Sequence, residues 1–378
     1  MSAESTPDPG IPGETGSKGA RHRATGRRRA PRKRPKGLII TAWTAAGIVV
    51  LGGAGMGYVY FKLNGNLKSV DIDQALGTDR PEAADNGSQN ILVLGSDTRS
   101  GSNKKLGGGT DDGSARSDTA MIVHLYKGHK KASVVSIPRD TLIDRPACTD
   151  TEGNEHPAAR NAMFNSAYST GGAACAVKTV ESLTDLRMDH YLEVDFAGFQ
   201  KLIDDLGGVE ITTTKSIDDP DSHLKLKAGT HRLDGEQALG LVRTRHGVGD
   251  GSDLGRIQLQ QAFIKALVSQ VKDVGVFGNP KRLLDLAETA TKTVTTDSDL
   301  GSVNKLASFA SGLRGISPSH MHMVTMPVVY DPADPNRVLL QEKKADQIWK
   351  ALANDRPIPE SATKDTATGE AKGVVNAP

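Results

Sequence analysis

The sequence predicts an α/β fold, a mixed central β-sheet flanked by helices and preceded by one transmembrane helix. Three observations carry this reading. Short β-branched runs alternate with amphipathic helical segments over residues 90–355, which is the pattern of a sheet covered by helices. The residues 37–61, "GLIITAWTAAGIVVLGGAGMGYVYF", hold no charge over 25 positions, enough for a helix to cross a bilayer core of about 30 Å. A basic block, "RHRATGRRRAPRKRPK", lies immediately before that stretch.

The charge is unevenly spread. The chain's formal +2 over 378 residues hides ten Lys/Arg against three acids in residues 1–36, so the remainder sums to about −5. Residues 1–36 therefore read as a basic cytoplasmic tail, and the positive-inside rule sends everything after Lys62 outside the cell. A cleaved signal peptide is disfavoured because the apolar stretch is long and begins late. Nucleic-acid binding by "RRRAPRKRPK" is disfavoured beside a membrane span, where such blocks serve topology and lipid headgroups. The only two cysteines, Cys148 and Cys175, lie beyond the span, and an oxidising exterior with an even count favours a disulfide over two free buried thiols.

After the span, residues 62–89 are polar without a clear period and read as a stalk with at most a short helix. "ILVLG" (91–95), "TAMIVHLY" (119–126) and "ASVVSIP" (132–138) are strands buried on both faces. Helices follow in "CAVKTVESLTDL" and "FAGFQKLIDDLGG", the second stopped by Gly207-Gly208 and flanked by strand-like "HYLEVD" and "GVEITTT". "LDGEQAL" supplies an Asp234 N-cap with Gln237 three residues on, and a longer helix opens near Asp253. A last strand, "HMHMVTMPVV", and a helix around "EKKADQIWKALAND" close the domain at 355; residues 356–378, rich in Pro, Thr and Ala, read as disordered.

"TAMIVHLY" and "ASVVSIP" are joined by "KGHKK", short enough for a hairpin. A turn near Gly128 and His129 makes paired residue numbers sum to about 257, which sets Asp118 opposite Arg139. If "ILVLG" joins the same sheet, its exit "SDTR" brings Asp97 and Arg99 to Asp118 and Arg116. Two carboxylates a few ångströms apart repel unless a cation sits between them. Hard oxygen ligands in small number suit Mg²⁺ (or Mn²⁺), which takes its remaining ligands from water and phosphate. Guanidiniums fit phosphate oxygens bidentately. A second cluster puts Arg243 and Arg245 two apart, on one face if that stretch is extended, and Arg256 and Gln260 four apart on the next helix. Arg256 in a first turn opposes the helix dipole, which points to a bound anion. Together these residues describe a site for a metal-bound di- or polyphosphate, against the plainer reading of solvated ion pairs at strand ends.

"NILVLGSDTRS", "ARSDTAMIVHL", "SVVSIPRDTLI", "LDGEQALGLVRTR" and "SDLGRIQLQQAF", in this order behind a membrane helix, resemble the LytR-CpsA-Psr family of cell-wall glycopolymer ligases. The resemblance implies an α-β-α sandwich with Asp97 and Asp118 as Mg²⁺ ligands and Arg99, Arg116, Arg139, Arg243, Arg245 and Arg256 on the phosphates. Asp140 would orient Arg139, and Gln260 would contact substrate. Leu259 departs from the arginine that many members carry before the glutamine pair, which weakens the assignment of Gln260 and Gln261. The implied reaction is phosphotransfer: a peptidoglycan hydroxyl attacks a polyprenyl-pyrophosphate-linked glycan, releasing polyprenyl phosphate. Two other readings stay open, a lipid-pyrophosphate hydrolase using the same residues and a non-catalytic membrane regulator of the cell envelope. No segment resembles a DNA-reading helix.

Overall fold

The computed structural model describes residues 54–96, 117–245, 253–275, 279–364 and 375–376. Most of the predicted membrane span, and Asp97, Arg99 and Arg116, lie outside the described residues. Among the described residues no helix is long and apolar enough to cross a membrane.

Helix α1 runs over residues 54–66. It leads into β1 (Lys68–Val70), α2 (Asp73–Leu76), β2 (Gln89–Ser96), β3 (Ser117–Leu125), β4 (Ala132–Ile137) and β5 (Thr141–Arg145). A small excursion, β6 (Cys148–Thr149), β7 (Glu155–His156) and β8 (Ala159–Met163), precedes α3 (Asn165–Thr184), β9 (His190–Asp195) and α4 (Phe196–Leu206). Next come β10 (Val209–Thr213), β11 (Ile217–Asp219), β12 (Leu224–Leu226), β13 (Gly229–Leu233), α5 (Gly235–Arg243), α6 (Asp253–Asp273) and α7 (Pro280–Thr293). The chain then forms β14 (Val294–Asp297), α8 (Val303–Gly312), β15 (Met321–Thr325), β16 (Val328–Tyr330), β17 (Val338–Leu340), α9 (Glu342–Ala353) and β18 (Val375–Asn376).

The central sheet has seven strands in the order β1-β14-β9-β2-β3-β4-β15. It is mixed: β2 pairs antiparallel with β3 and parallel with β9, and β4 pairs parallel with β15. Strand alternation sends Leu92, Leu94, Ile122 and Val135 into one core with α3 and α9. Ile91 and Leu125 face a smaller cluster with Phe309 and Leu313 on the other side. Helices thus cover both faces, which is why these strands read as continuous apolar runs. A separate hydrophobic cluster joins Ile203, Val209, Ile211, Leu233, Leu241 and Phe263, from α4, β10, β13, α5 and α6.

Several boundaries differ from the sequence reading. The stalk at 62–89 is docked: β1 pairs with β14, and Ile72 and Leu76 are buried in the main core. Leu63 is buried as well and Val70 packs against that core, but these few apolar residues are too scattered to show a period. Helix α3 starts ten residues before the "CAVKTV" run and kinks at Gly171 and Gly172, which hid its first turns. Gly171 is required there, since a Cβ would lie 2.2 Å from the Cys175 sulfur. The disulfide between Cys148 and Cys175 is formed, with the Cα atoms 5.4 Å apart. "HMHMVTMPVV" divides into β15 and β16 at Met326-Pro327, because proline cannot donate to a ladder. The core also passes the expected end at 355: Ile358 and Ala362 are buried in it, and Val375 pairs with Thr213. Overall composition, which reads this tail as disordered, does not register two well-placed apolar plugs.

Candidate active site

The hairpin fixes the site's first half. Ala120 pairs with Ile137 and Met121 with Ser136, so paired numbers sum to 257 as the "KGHKK" turn requires. Pro138 ends β4, and its carbonyl accepts from the Thr141 amide at 3.1 Å and the Thr141 hydroxyl at 2.7 Å. That turn holds Arg139 at the strand mouth, where its guanidinium donates to the Asp118 carboxylate. Arg139 Nε also lies 3.4 Å from Asp140 Oδ2 and 3.5 Å from Asp253 Oδ1. Burial alone would lower the Arg139 pKa, but the Asp118, Asp253 and Asp140 carboxylates outweigh it and raise it.

The second half comes from α5 and α6. Asp234 and Gln237 close the capping box that starts α5. Arg243 is the last residue of that helix, not part of an extended stretch as the spacing argument assumed. Its guanidinium sits 4.9 Å from the Phe196 ring centroid, a cation–π contact. Two residues on, the Arg245 amide donates to Asp219 Oδ2 at 2.8 Å, which pins the chain as it leaves α5. Gln260 donates from its side-chain amide to Thr119 Oγ1 and to the Val242 carbonyl, both at 3.0 Å, and so sews α6 to β3 and α5.

Arg256 corrects the argument made for it. It is not a lone cation awaiting an anion, because its guanidinium meets the Asp253 carboxylate one turn earlier. Its other contact is a 3.0 Å hydrogen bond to the carbonyl of Asp118. Asp253 Oδ1 also lies 3.7 Å from Arg245. Neither Asp253 oxygen has a partner in hydrogen-bonding geometry, so its contacts with the three arginines are ionic. Burial pushes the Asp253 carboxyl up, opposed first by Arg256 and Arg139, and burial lowers Arg256.

These elements enclose a cavity of about 420 Å³. Of the residues expected from the sequence, Asp118, Arg139, Asp140, Arg243, Arg245, Arg256 and Gln260 all line it. Asp97, Arg99 and Arg116 lie outside the described residues; the chain leaves β2 at Ser96, which pairs with Ser117 beside Asp118. Phe196 lines the cavity, whereas Phe199 of the same helix packs against Phe263 in the small core. Two further residues escaped the sequence reading. Asp253 was visible only as a helix start. Arg337 lines the cavity 3.9 Å from Asp140 because β17 pairs parallel with β5, setting Val338 beside Thr141; nothing local in "DPADPNR" announces that.

Among the described residues no group of three or more His, Cys, Asp or Glu could hold a metal. One carboxylate of the predicted pair, Asp118, does line the cavity, where Arg139 already donates to it. A single hard-oxygen ligand fits Mg²⁺ only with a second carboxylate and oxygens from substrate or water.

The family profile described as the LytR_cpsA_psr family matches residues 59–354. The probable cell wall biosynthesis protein LcpB of Corynebacterium glutamicum is 32% identical over 293 residues, covering 76% of this chain and 65% of LcpB. This chain therefore spans just under two thirds of that relative's length. The polyisoprenyl-teichoic acid–peptidoglycan teichoic acid transferase TagT of Bacillus subtilis is 29% identical, covering 87% of this chain and 97% of TagT. A solved structure of TagT bound to LI-WTA superposes with a TM-score of 0.55 at 25% identity, covering 76% of this chain and 98% of that one. With its mixed sheet between helices and a profile match over most of its length, the chain belongs to the LytR_cpsA_psr family.

Proposed function

We propose that the protein is a membrane-anchored phosphotransferase that ligates a polyprenyl-pyrophosphate-linked glycopolymer to peptidoglycan outside the cell. The observation that carries this reading is the convergence of Arg139, Arg243, Arg245 and Arg256 with Asp118 on one cavity. With Arg337 these make five guanidiniums on one cavity, which suits the spread charge of a diphosphate. The names of relatives such as TagT support a cell-wall polymer as the substrate class. The disulfide suits an oxidising compartment, and the apolar stretch at 37–61 supports an anchor with the N-terminus in the cytoplasm.

In this reading a peptidoglycan hydroxyl attacks the sugar-proximal phosphorus. The P–O bond to polyprenyl phosphate breaks with its electron pair going to that leaving group, a phosphodiester forms, and the hydroxyl proton ends on the released polyprenyl phosphate. Arg139, Arg243 and Arg245 bind the phosphoryl oxygens and disperse the charge that grows on them. Arg256, nearly buried, acts chiefly by holding the Asp118 backbone in place. Asp118, together with Asp97, would hold Mg²⁺, which would supply charge neutralisation for the transferred phosphoryl group.

The test is the full chain in lipid nanodiscs with a lipid-pyrophosphate-linked glycan donor and a peptidoglycan oligosaccharide. Glycan joined to the acceptor, with an Arg139→Ala loss of about 100-fold or more, is the expected result. Phosphate release without glycan transfer would replace ligation by hydrolysis, and no turnover of either kind would overturn the enzymatic reading.

A further inference from the structure

Helix α7 is inverted for a helix that packs only on protein. Its buried residues are Thr289 and Thr291, and the Thr289 hydroxyl donates to the Asp205 carboxylate of α4. Two of its three leucines face out: Leu283 is 40% and Leu284 38% exposed, while Leu286 is half-buried. Helix α1 shows the same arrangement, with Tyr58 and Phe61 70% and 75% exposed while Leu63 is buried. The two helices are tied together by Lys62 of α1, whose Nζ lies 2.8 Å from Glu288 Oε1 of α7. A single exposed leucine needs no explanation. Here, however, every large exposed apolar side chain among the described residues, apart from Val329 and Tyr330, belongs to this pair of helices. An apolar concentration of that kind marks an interaction surface.

The course of the chain identifies the occupant. Residues 54–61 of α1 are the last eight of the uncharged 37–61 stretch, so its tyrosines fall in sequence where a bilayer-crossing segment would meet water, the level at which such rings concentrate. At the start of α7 Arg282 is exposed, and Lys281, 88% exposed, lies 3.8 Å from Asp285, the one acid of that first stretch. Leucines beside cations at a helix start suit an apolar–anionic boundary.

We propose that the N-terminal half of α7 and the Tyr58–Phe61 face of α1 together form a seat on an anionic lipid surface, fixing the domain's orientation beside its anchor. The seat rests on the membrane anchoring proposed above. Both native cysteines are in the disulfide, so one introduced cysteine can carry a nitroxide label. The experiment uses the full chain in phosphatidylglycerol-containing nanodiscs, labelled as I48C, L284C or D346C in turn. Collisional broadening is then read with oxygen, which enters lipid, and with a nickel chelate, which does not. The expected result is a loss of nickel broadening with a gain of oxygen broadening at 284, matching 48 and opposite to 346. If 48 reads as lipid while 284 behaves like 346, the seat is wrong and the anchor stands. Protection of 284 from both reagents would put a protein contact there, a second copy or another chain, and also overturn it. An aqueous reading at 48 would remove the anchor and the seat with it.

Discussion

Asp253 places a negative charge where Arg139, Arg245 and Arg256 would otherwise repel one another. It is not among the residues lining the cavity, so in the proposed reaction it would act through the arginines it gathers. Replacing it by asparagine keeps the shape and removes the charge, leaving nearly buried Arg256 without its counter-ion. Breaking such a pair costs about 3 kcal/mol, so D253N should melt at lower temperature and lose transfer activity. The two effects separate if activity falls at temperatures where circular dichroism still reports a folded chain. His124 gives a pH prediction. It is buried between Asn90 Oδ1 at 2.8 Å and Asp355 Oδ1 at 3.2 Å, and burial lowers its pKa despite the raising effect of Asp355. With the folded value below the unfolded one, near 6.5, the unfolded chain takes up more protons as pH falls through that value. Stability should therefore be full above it and drop on acidification, and H124N should flatten that slope in urea titrations at several pH values.

At the scale of elements, α5 aims the arginine pair, and two of its features are open to test. Asp234→Ala removes the cap and should cost about 1 kcal/mol in chemical denaturation. Gly235→Ala is expected to be worse, because its Cβ would fall 2.3 Å from the Gln200 carbonyl oxygen of α4. Overpacking of that kind costs about 1–3 kcal/mol; a G235A variant as stable as the parent would show that α4 and α5 can slide apart. The legible elements share a physical cause. Strands β2, β3 and β4 are buried on both faces, and α4 and α6 open or close on clear signals. By contrast α8 buries no residue and α7 buries only threonines, so neither writes an apolar period into the sequence. Strands β11 and β12 are three residues long, too short to alternate visibly.

On the scale of the whole molecule, the disulfide joins the β6 excursion to the buried middle of α3. Closing a separation of 27 residues contributes about 3 kcal/mol by chain entropy. A C148A/C175A double variant should lose about that much in urea unfolding and become insensitive to reductant. Much of the site was legible because hairpin register follows from turn length: Asp118 and Arg139 meet as counting from Gly128 requires. Asp253 and Arg337 were not legible, since their neighbours depend on long-range topology, a helix start meeting a strand mouth and a parallel β17–β5 pairing. Finally, the cavity is a seam. Asp118, Arg139 and Arg337 belong to the main sheet and its flank, whereas Arg243, Arg245 and Arg256 lie on or beside the helices around the smaller core of Ile203, Leu233 and Phe263, and the two sides are stitched by hydrogen bonds from Arg256 to the Asp118 carbonyl, from Gln260 to Thr119 and from Gln261 to Ser136. The smaller core has fewer apolar residues to hold it and should loosen first on warming. Heat should then silence the enzyme several degrees before the calorimetric endotherm, like a fuse ahead of the circuit; simultaneous loss would mean both cores melt as one.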